Sequence, residues 1–277
     1  MSRVRWRVVT LIVVINGSAW AQERWASPIG MTGAGLGMTL GQSGRAWTEL
    51  GLFSGNRRTE FSLLGGLGMQ VKPDLELELV LPMSHIALDP AASDFMIGNP
   101  YAALSYLSER EALRFKIGGG VALPLVRAGD VAEYANALTA AAMDGFQNSF
   151  LWTSRTMSLV APMRLETGQV PIFSLDGAPI VGLPTGKGGD MELSVQLAPG
   201  ASVYVGYSTL VGARLPLYWI PTQSGDDASV ALEPFVRHEI DSIFLNARLT
   251  LNLDKPLGFA FDRDGFWGLH LGGGGTF

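Results

Sequence analysis

Residues Asp74 to Leu81 read D-L-E-L-E-L-V-L, with Leu75, Leu77, Leu79 and Leu81 on one side of a strict two-residue repeat and Glu76, Glu78 and Val80 on the other. A β-strand with one apolar and one largely polar face has this period. Wound as a helix, the same letters would spread leucine and glutamate around the whole circumference. A segment of this kind poses two questions: how many others follow it, and in which compartment the chain folds.

The amino terminus speaks to the second. Arg3, Arg5 and Arg7 precede an apolar run from Val8 to Ile15, and small and polar residues then end in Ser18-Ala19-Trp20-Ala21. That order is the layout of a secretory signal peptide with an A-x-A cleavage site, and the run falls short of the roughly 20 residues a membrane-spanning helix needs. Residues 1–21 are expected to be removed after Ala21. No later run is long enough to span as a helix, yet the mean hydropathy is +0.23 and only 16% of residues are charged. The 35 glycines accompany no cysteine, which excludes disulfides and cysteine-held metal. A net charge of −5 argues against a nucleic-acid partner, which would require a basic surface. Export, apolar composition and the lack of spanning helices are met together by a β-barrel in an outer membrane, because closure pairs every backbone group inside lipid.

Alternation recurs along the chain at 46–53, 60–71, 74–81, 101–107, 113–125, 156–166, 170–181, 191–198, 202–211, 231–238, 242–253 and 266–277. Pro199-Gly200 is read as a hairpin turn between the eighth and ninth of these. The expected architecture is all-β: a transmembrane, antiparallel, up-and-down barrel of about twelve strands, with ten or fourteen as alternatives. Turns near 73, 109, 168, 199 and 240 are short, whereas 84–98, 127–155, 183–190, 213–230 and 254–265 are longer. Short periplasmic turns opposite long outer loops are a property of such barrels. One helix is expected at 130–143, in an outer loop: Asp130 and Glu133 form a capping box, and Val131, Tyr134, Ala135, Leu138 and Ala142 recur at helical spacing as an apolar stripe for the rim or lumen wall. The domain layout is thus a signal peptide at 1–21, a glycine-rich leader, plug or extra strand at 22–46, and a barrel at 47–277.

The final residues bear on insertion. Phe277 shares a face with Trp267, Leu269 and Leu271, and a terminal aromatic strand of this kind resembles the carboxy-terminal signal by which bacterial outer-membrane barrels are recognised by their insertion machinery; Gly273 and Gly275 depart from that pattern. Trp47, Trp152 and Trp267 fall near expected strand ends, as girdle aromatics do. Lys72-Pro-Asp-Leu-Glu-Leu77, Ile97-Gly-Asn-Pro-Tyr101 and Lys116-Ile-Gly-Gly-Gly-Val-Ala-Leu-Pro124 resemble segments of outer-membrane barrels of the meta-pathway transporter type. That resemblance implies the barrel architecture and porin-like transport.

With leucine faces toward lipid, the opposite faces line the lumen. Glu49, Glu60, Glu76, Glu78, Arg114, Lys116, Arg164, Glu192, Arg237, Arg248 and His270 then point inward. In a barrel narrower than the 16–18 strands of wide porins, such side chains reach one another. They form either an ion-paired network that partly closes the bore or the selective lining of a narrow pore. Catalysis is not expected. His85, His238 and His270 lie too far apart in the pattern to share a site, Gly206-Tyr-Ser208 lacks the glycine of a nucleophile elbow, and the segment from Gly182 to Gly188 has the wrong spacing for a phosphate loop. Asp262-Arg-Asp264-Gly265 holds only a fragment of a calcium loop, so Asp89, Asp94, Asp190, Asp226, Asp227, Asp262 and Asp264 read as solvated loop charge, and no cofactor is implied. Two functions fit: a channel or transporter for small solutes, or a non-conducting anchor holding other envelope proteins.

Overall fold

A computed structural model describes residues 44–55, 58–88, 92–110, 113–167, 170–186, 189–222, 228–254 and 265–277. The signal peptide and nearly all of the glycine-rich leader lie outside these residues, as do Asp89, Asp226, Asp227, Asp262 and Asp264. Twelve antiparallel strands follow one another around a single closed sheet. They are β1 (Gly44–Gly55), β2 (Arg58–Lys72), β3 (Leu75–Leu88), β4 (Ala92–Ile97, resumed as Tyr101–Arg110), β5 (Leu113–Ala122) and β6 (Thr156–Val160, resumed as Met163–Thr167). The rest are β7 (Ile172–Pro184), β8 (Glu192–Val205), β9 (Thr209–Arg214, resumed as Leu217–Trp219), β10 (Ala228–Ile240), β11 (Ile243–Asn252) and β12 (Trp267–Thr276). β12 returns to β1 in register from Arg45↔Thr276 to Leu52↔Leu269, so no edge strand is left open.

The pleat sets the two faces. In β3, Leu79 and Leu81 are exposed on the outside, while Glu76, Glu78 and Val80 are buried within. The same division holds around the ring, with Phe61, Ile117, Leu159, Leu245 and Leu271 outside and Glu49, Arg164, Arg248 and His270 inside. Large apolar side chains outside and charge inside is the reverse of a water-soluble domain.

Several features differ from the sequence reading. Gly44, Arg45 and Ala46 belong to β1 rather than to a leader. β3 runs to Leu88 and β4 begins at Ala92, so 84–98 is mostly paired strand. Pro199-Gly200 is no turn: β8 passes straight through it, and the hairpin turns instead at Gly206-Tyr207-Ser208, where Gly206 takes φ +71°, a left-handed conformation that suits glycine. Proline stands inside β8 where β9 is itself interrupted opposite it, at Leu215-Pro216, so the ladder bond its missing N–H gives up falls at an existing break. The Pro199 carbonyl still accepts from the Leu215 N–H at 2.8 Å.

The connection from β5 to β6 carries α1 (Val131–Met143) and then a 3-10 turn at Ser149–Leu151. The capping box is formed, with Glu133 N–H donating to Asp130 at 2.9 Å. The fourth difference concerns which side of α1 is covered. Val131, Tyr134 and Leu138 are exposed, whereas Asn136, Ala137 and Thr139 through Met143 are buried. The helix enters the bore with its carboxy-terminal half, which is mostly alanine and ends in the buried Met143, and Asn136 anchors it to Ser84 at 2.7 Å and to Asp94 at 3.0 Å. Phe146, Phe150, Leu151 and Trp152 follow it inside and pack on Leu64, Tyr101, Val160 and Ile180 of the wall. Trp152 is therefore plug core and Trp47 is buried in the lumen; neither forms a girdle.

Inward glycines leave room for this filling. A Cβ at Gly66 would stand 2.1 Å from the Trp47 ring, whereas one at Gly119 would meet nothing within 4 Å. Gly66→Val is expected to lower barrel stability by about 1–3 kcal/mol through overpacking. Gly119→Val should be near neutral. Urea unfolding midpoints of the two variants in detergent micelles check the contrast.

Candidate functional site: the charged bore

Inward-facing residues of one parity on each strand come together as two linked sets of ion pairs. In the first, Arg45 of β1 meets Glu76 of β3 at 2.7 Å and Glu78 at 3.7 Å, and Lys116 of β5 meets the same two carboxylates at 3.1 and 3.2 Å. The second set runs along the wall. Arg114 pairs with Glu109 at 2.8 Å and reaches Glu166 at 3.9 Å; Arg164 pairs with Glu166 at 3.3 Å and Asp176 at 3.2 Å; Arg214 stands between Asp176 and Glu233. Arg248 closes the series, meeting Glu233 at 2.6 Å and Glu49 at 2.5 Å and also pairing with Asp144. His270 joins Glu49 at 3.4 Å.

Asp144 is the point at which the loop enters this network. It follows α1 directly, so the helix end is held by the Arg248 guanidinium, while His270 Nε2 donates to the Met143 carbonyl at 2.9 Å. Polar contacts continue along the plug. Asn99 donates to the carbonyls of Phe150 at 3.0 Å and Thr153 at 2.8 Å, Gln196 donates to Phe146 at 2.8 Å, and Gln147 donates to Leu217 at 3.1 Å. The bore is thus filled by ion pairs toward the end with the short turns and by the β5–β6 loop toward the other.

Glu76, Glu78, Arg114, Arg164, Arg248 and His270 are buried in the bore as the pleat requires, and Lys116 is nearly so. Glu192 also faces inward but is half-buried at the start of β8, at the loop end and away from the two ion-pair sets. Leu271 and Phe277 are exposed on the outer face, with Leu269 and Trp267 half-buried beside them. Gly274, on the inner face of that strand, would place a Cβ 2.6 Å from the Phe244 ring, so this glycine makes room for a lumen aromatic. The three histidines stand apart: His85 stacks on Phe61 outside, His238 bonds Thr209 at 2.9 Å near a short turn, and His270 is inside.

Sequence reasoning missed Arg45, Glu109, Asp144, Glu166, Asp176, Arg214 and Glu233. Glu166 and Glu233 share parity with Arg164 and Arg237 and were within reach of the same argument. Asp144 is a loop residue with no parity to read.

Arg248 is the cation shared by Glu49, Asp144 and Glu233, and its side chain has no exposed surface. Arg248→Met leaves three buried carboxylates short of charge and is expected to cost about 3–5 kcal/mol at neutral pH. Denaturant unfolding of the variant against the parent chain measures it.

No protein-family model matches the chain, and no curated protein matches it. Among solved structures, it is similar to an outer membrane channel from Pseudomonas putida F1, at 13% identity and TM-score 0.57 over 85% of this chain and 96% of that one. The translocator domain of the autotransporter NalP from Neisseria meningitidis aligns at 10% identity and TM-score 0.46 over 86% and 89%. The first of these likenesses shows a shared barrel fold.

Proposed function

We propose that the chain is an integral outer-membrane barrel acting as a porin-like channel or transporter for small solutes, with the β5–β6 loop as its plug. The observation that carries this reading is the inverted polarity of the barrel: an outer face of exposed leucine, isoleucine and phenylalanine around a bore lined with buried charge. A lipid surround suits that exterior, and a polar, charge-lined lumen is what a path for small solutes is built from. The likeness in fold to an outer membrane channel supports it. On this reading outer-membrane lipid is the immediate partner, and Trp267, Leu269, Leu271 and Phe277 present the terminal strand to the insertion machinery.

A second reading, a non-conducting anchor for other envelope proteins, is favoured by one feature, the run of ion pairs that closes the bore. Both readings leave the resting barrel nearly silent, so the plug is the place to separate them. In planar bilayers the refolded parent chain is expected to show small, infrequent steps. Deleting residues 131–150 should raise the conductance several-fold and make the steps long-lived. A folded, heat-modifiable deletion variant that stays silent would sink the channel reading and leave the anchor.

A further inference from the structure

We propose that Arg127 and Arg155 form a docking site for the phosphate of an outer-leaflet glycolipid, on the rim of the barrel where β5 and β6 meet the loop end. The inference rests on the outer-membrane reading and adds to it a place and a headgroup chemistry.

The backbone brings the two residues together. Arg127 follows β5 and Arg155 directly precedes β6, and the Arg155 N–H donates at 2.9 Å to the carbonyl of Val126, next to Arg127. On the other side of Arg127, the Ala128 N–H donates to the Ser154 hydroxyl at 2.9 Å. Thr185, just past β7, completes the clasp: its N–H and its hydroxyl both donate to the Arg155 carbonyl, at 2.8 and 2.9 Å. Arg155 is held there at φ +51°, a left-handed conformation that a residue with a side chain keeps only where its surroundings impose it. Backbone strain is thus stored at the point where this guanidinium is presented.

Position and charge select the partner. Val126 is buried, its N–H bonded to Asn99 at 3.0 Å, whereas Arg127 and Arg155 are exposed. Along the same two strands, Leu123, Leu125 and Leu159 are exposed on the outer surface. The arginines therefore stand where the apolar belt ends, on the side of the long loops, which face outward in such barrels. Arg114, Arg164 and Arg248 in the bore are taken up by carboxylates, but neither Arg127 nor Arg155 forms an ion pair with a described residue. The acids that follow Arg127, Asp130 and Glu133, close on each other in the capping box of α1. Two cations above an apolar belt match an amphiphile with an anionic head over acyl chains, and a guanidinium fork takes phosphate oxygens in pairs. A soluble oxyanion would engage the arginines and leave the leucines without a role.

The test is native mass spectrometry of the full refolded chain in detergent micelles, with bis-phosphorylated lipid A as the probe. One lipid molecule is expected to stay bound to the parent chain, and the double variant Arg127→Gln, Arg155→Gln should lower its affinity about tenfold. Should that variant not fold by heat-modifiable migration, Arg127→Gln alone, which leaves the strained residue in place, is read the same way. Lys72→Gln with Arg110→Gln removes two exposed cations at the end with the short turns and should leave the affinity unchanged. Equal affinity of the parent chain and the Arg127 and Arg155 variant, or an equal loss in the Lys72 and Arg110 variant, overturns the site. Displacement of the lipid by equimolar inorganic phosphate overturns it too, in favour of a free-phosphate site. Insertion of the parent chain into phosphatidylcholine vesicles tests the outer-membrane reading itself, so a failure there is told apart from a failure of the site.

Discussion

Opposite walls of a twelve-stranded barrel stand close enough for their side chains to touch, and this chain turns charged residues into that space. Each buried ion costs several kcal/mol unless an opposite charge and further hydrogen bonds meet it. Once the pleat of β3 points Glu76 and Glu78 inward, cations from β1 and β5 have to reach them, and Arg45 and Lys116 do so. Long side chains then need empty wall beside them. A Cβ at Gly68 would stand 2.6 Å from Arg45, and one at Gly272 the same distance from Asn246. Gly68 of β2 and Gly272 of β12 thus make room for polar side chains in the bore, as Gly66 and Gly274 do for the rings of Trp47 and Phe244.

The plug follows from the same constraint. A loop entering a charged bore must offer partners, and the β5–β6 loop brings Asp144 to Arg248 and the Met143 carbonyl to His270. Apolar contact accompanies these pairs on several strands, where Phe150 meets Tyr101 at 5.1 Å and Phe146 stacks on Tyr218 at 5.4 Å. In the amino-terminal half of α1, Asn136 alone is buried, bonded to Ser84 and Asp94 of the wall. Val131, Tyr134 and Leu138 stay exposed while the alanine-rich half is buried.

Period two made the barrel legible because a single letter of parity decides which face a residue occupies. Glu49, Glu60, Glu76, Arg114, Arg164, Arg237, Arg248 and His270 all face inward on that ground alone. What parity does not contain is the state of the neighbouring strand. Pro199 looks like a turn until Leu215-Pro216 is seen opposite it, and the misplaced hairpin hid Arg214 among loop residues. Helical spacing likewise gave α1 and its capping box but not its buried side. The buried side carries Ala137, Ala140, Ala141 and Met143 with Asn136 and Thr139, polar positions that an apolar-stripe reading passes over. Trp47 shows the cost of reading by residue type instead of parity: it shares a face with Glu49, and the lumen is where both lie.

Well-packed apolar side chains would fill a bore at least as stably as ion pairs do. The difference lies in how each filling yields. Clearing an apolar core exposes its whole surface at once, whereas most acids in this bore have two cationic neighbours. Glu76 is shared by Arg45 and Lys116, Asp176 by Arg164 and Arg214, and Glu233 by Arg214 and Arg248. A mobile ion can take the place of one neighbour while the other remains, so charge is never left bare. A lumen filled in this way leaves most acids a second cationic partner when one is exchanged, which is the property the proposed solute path would draw on.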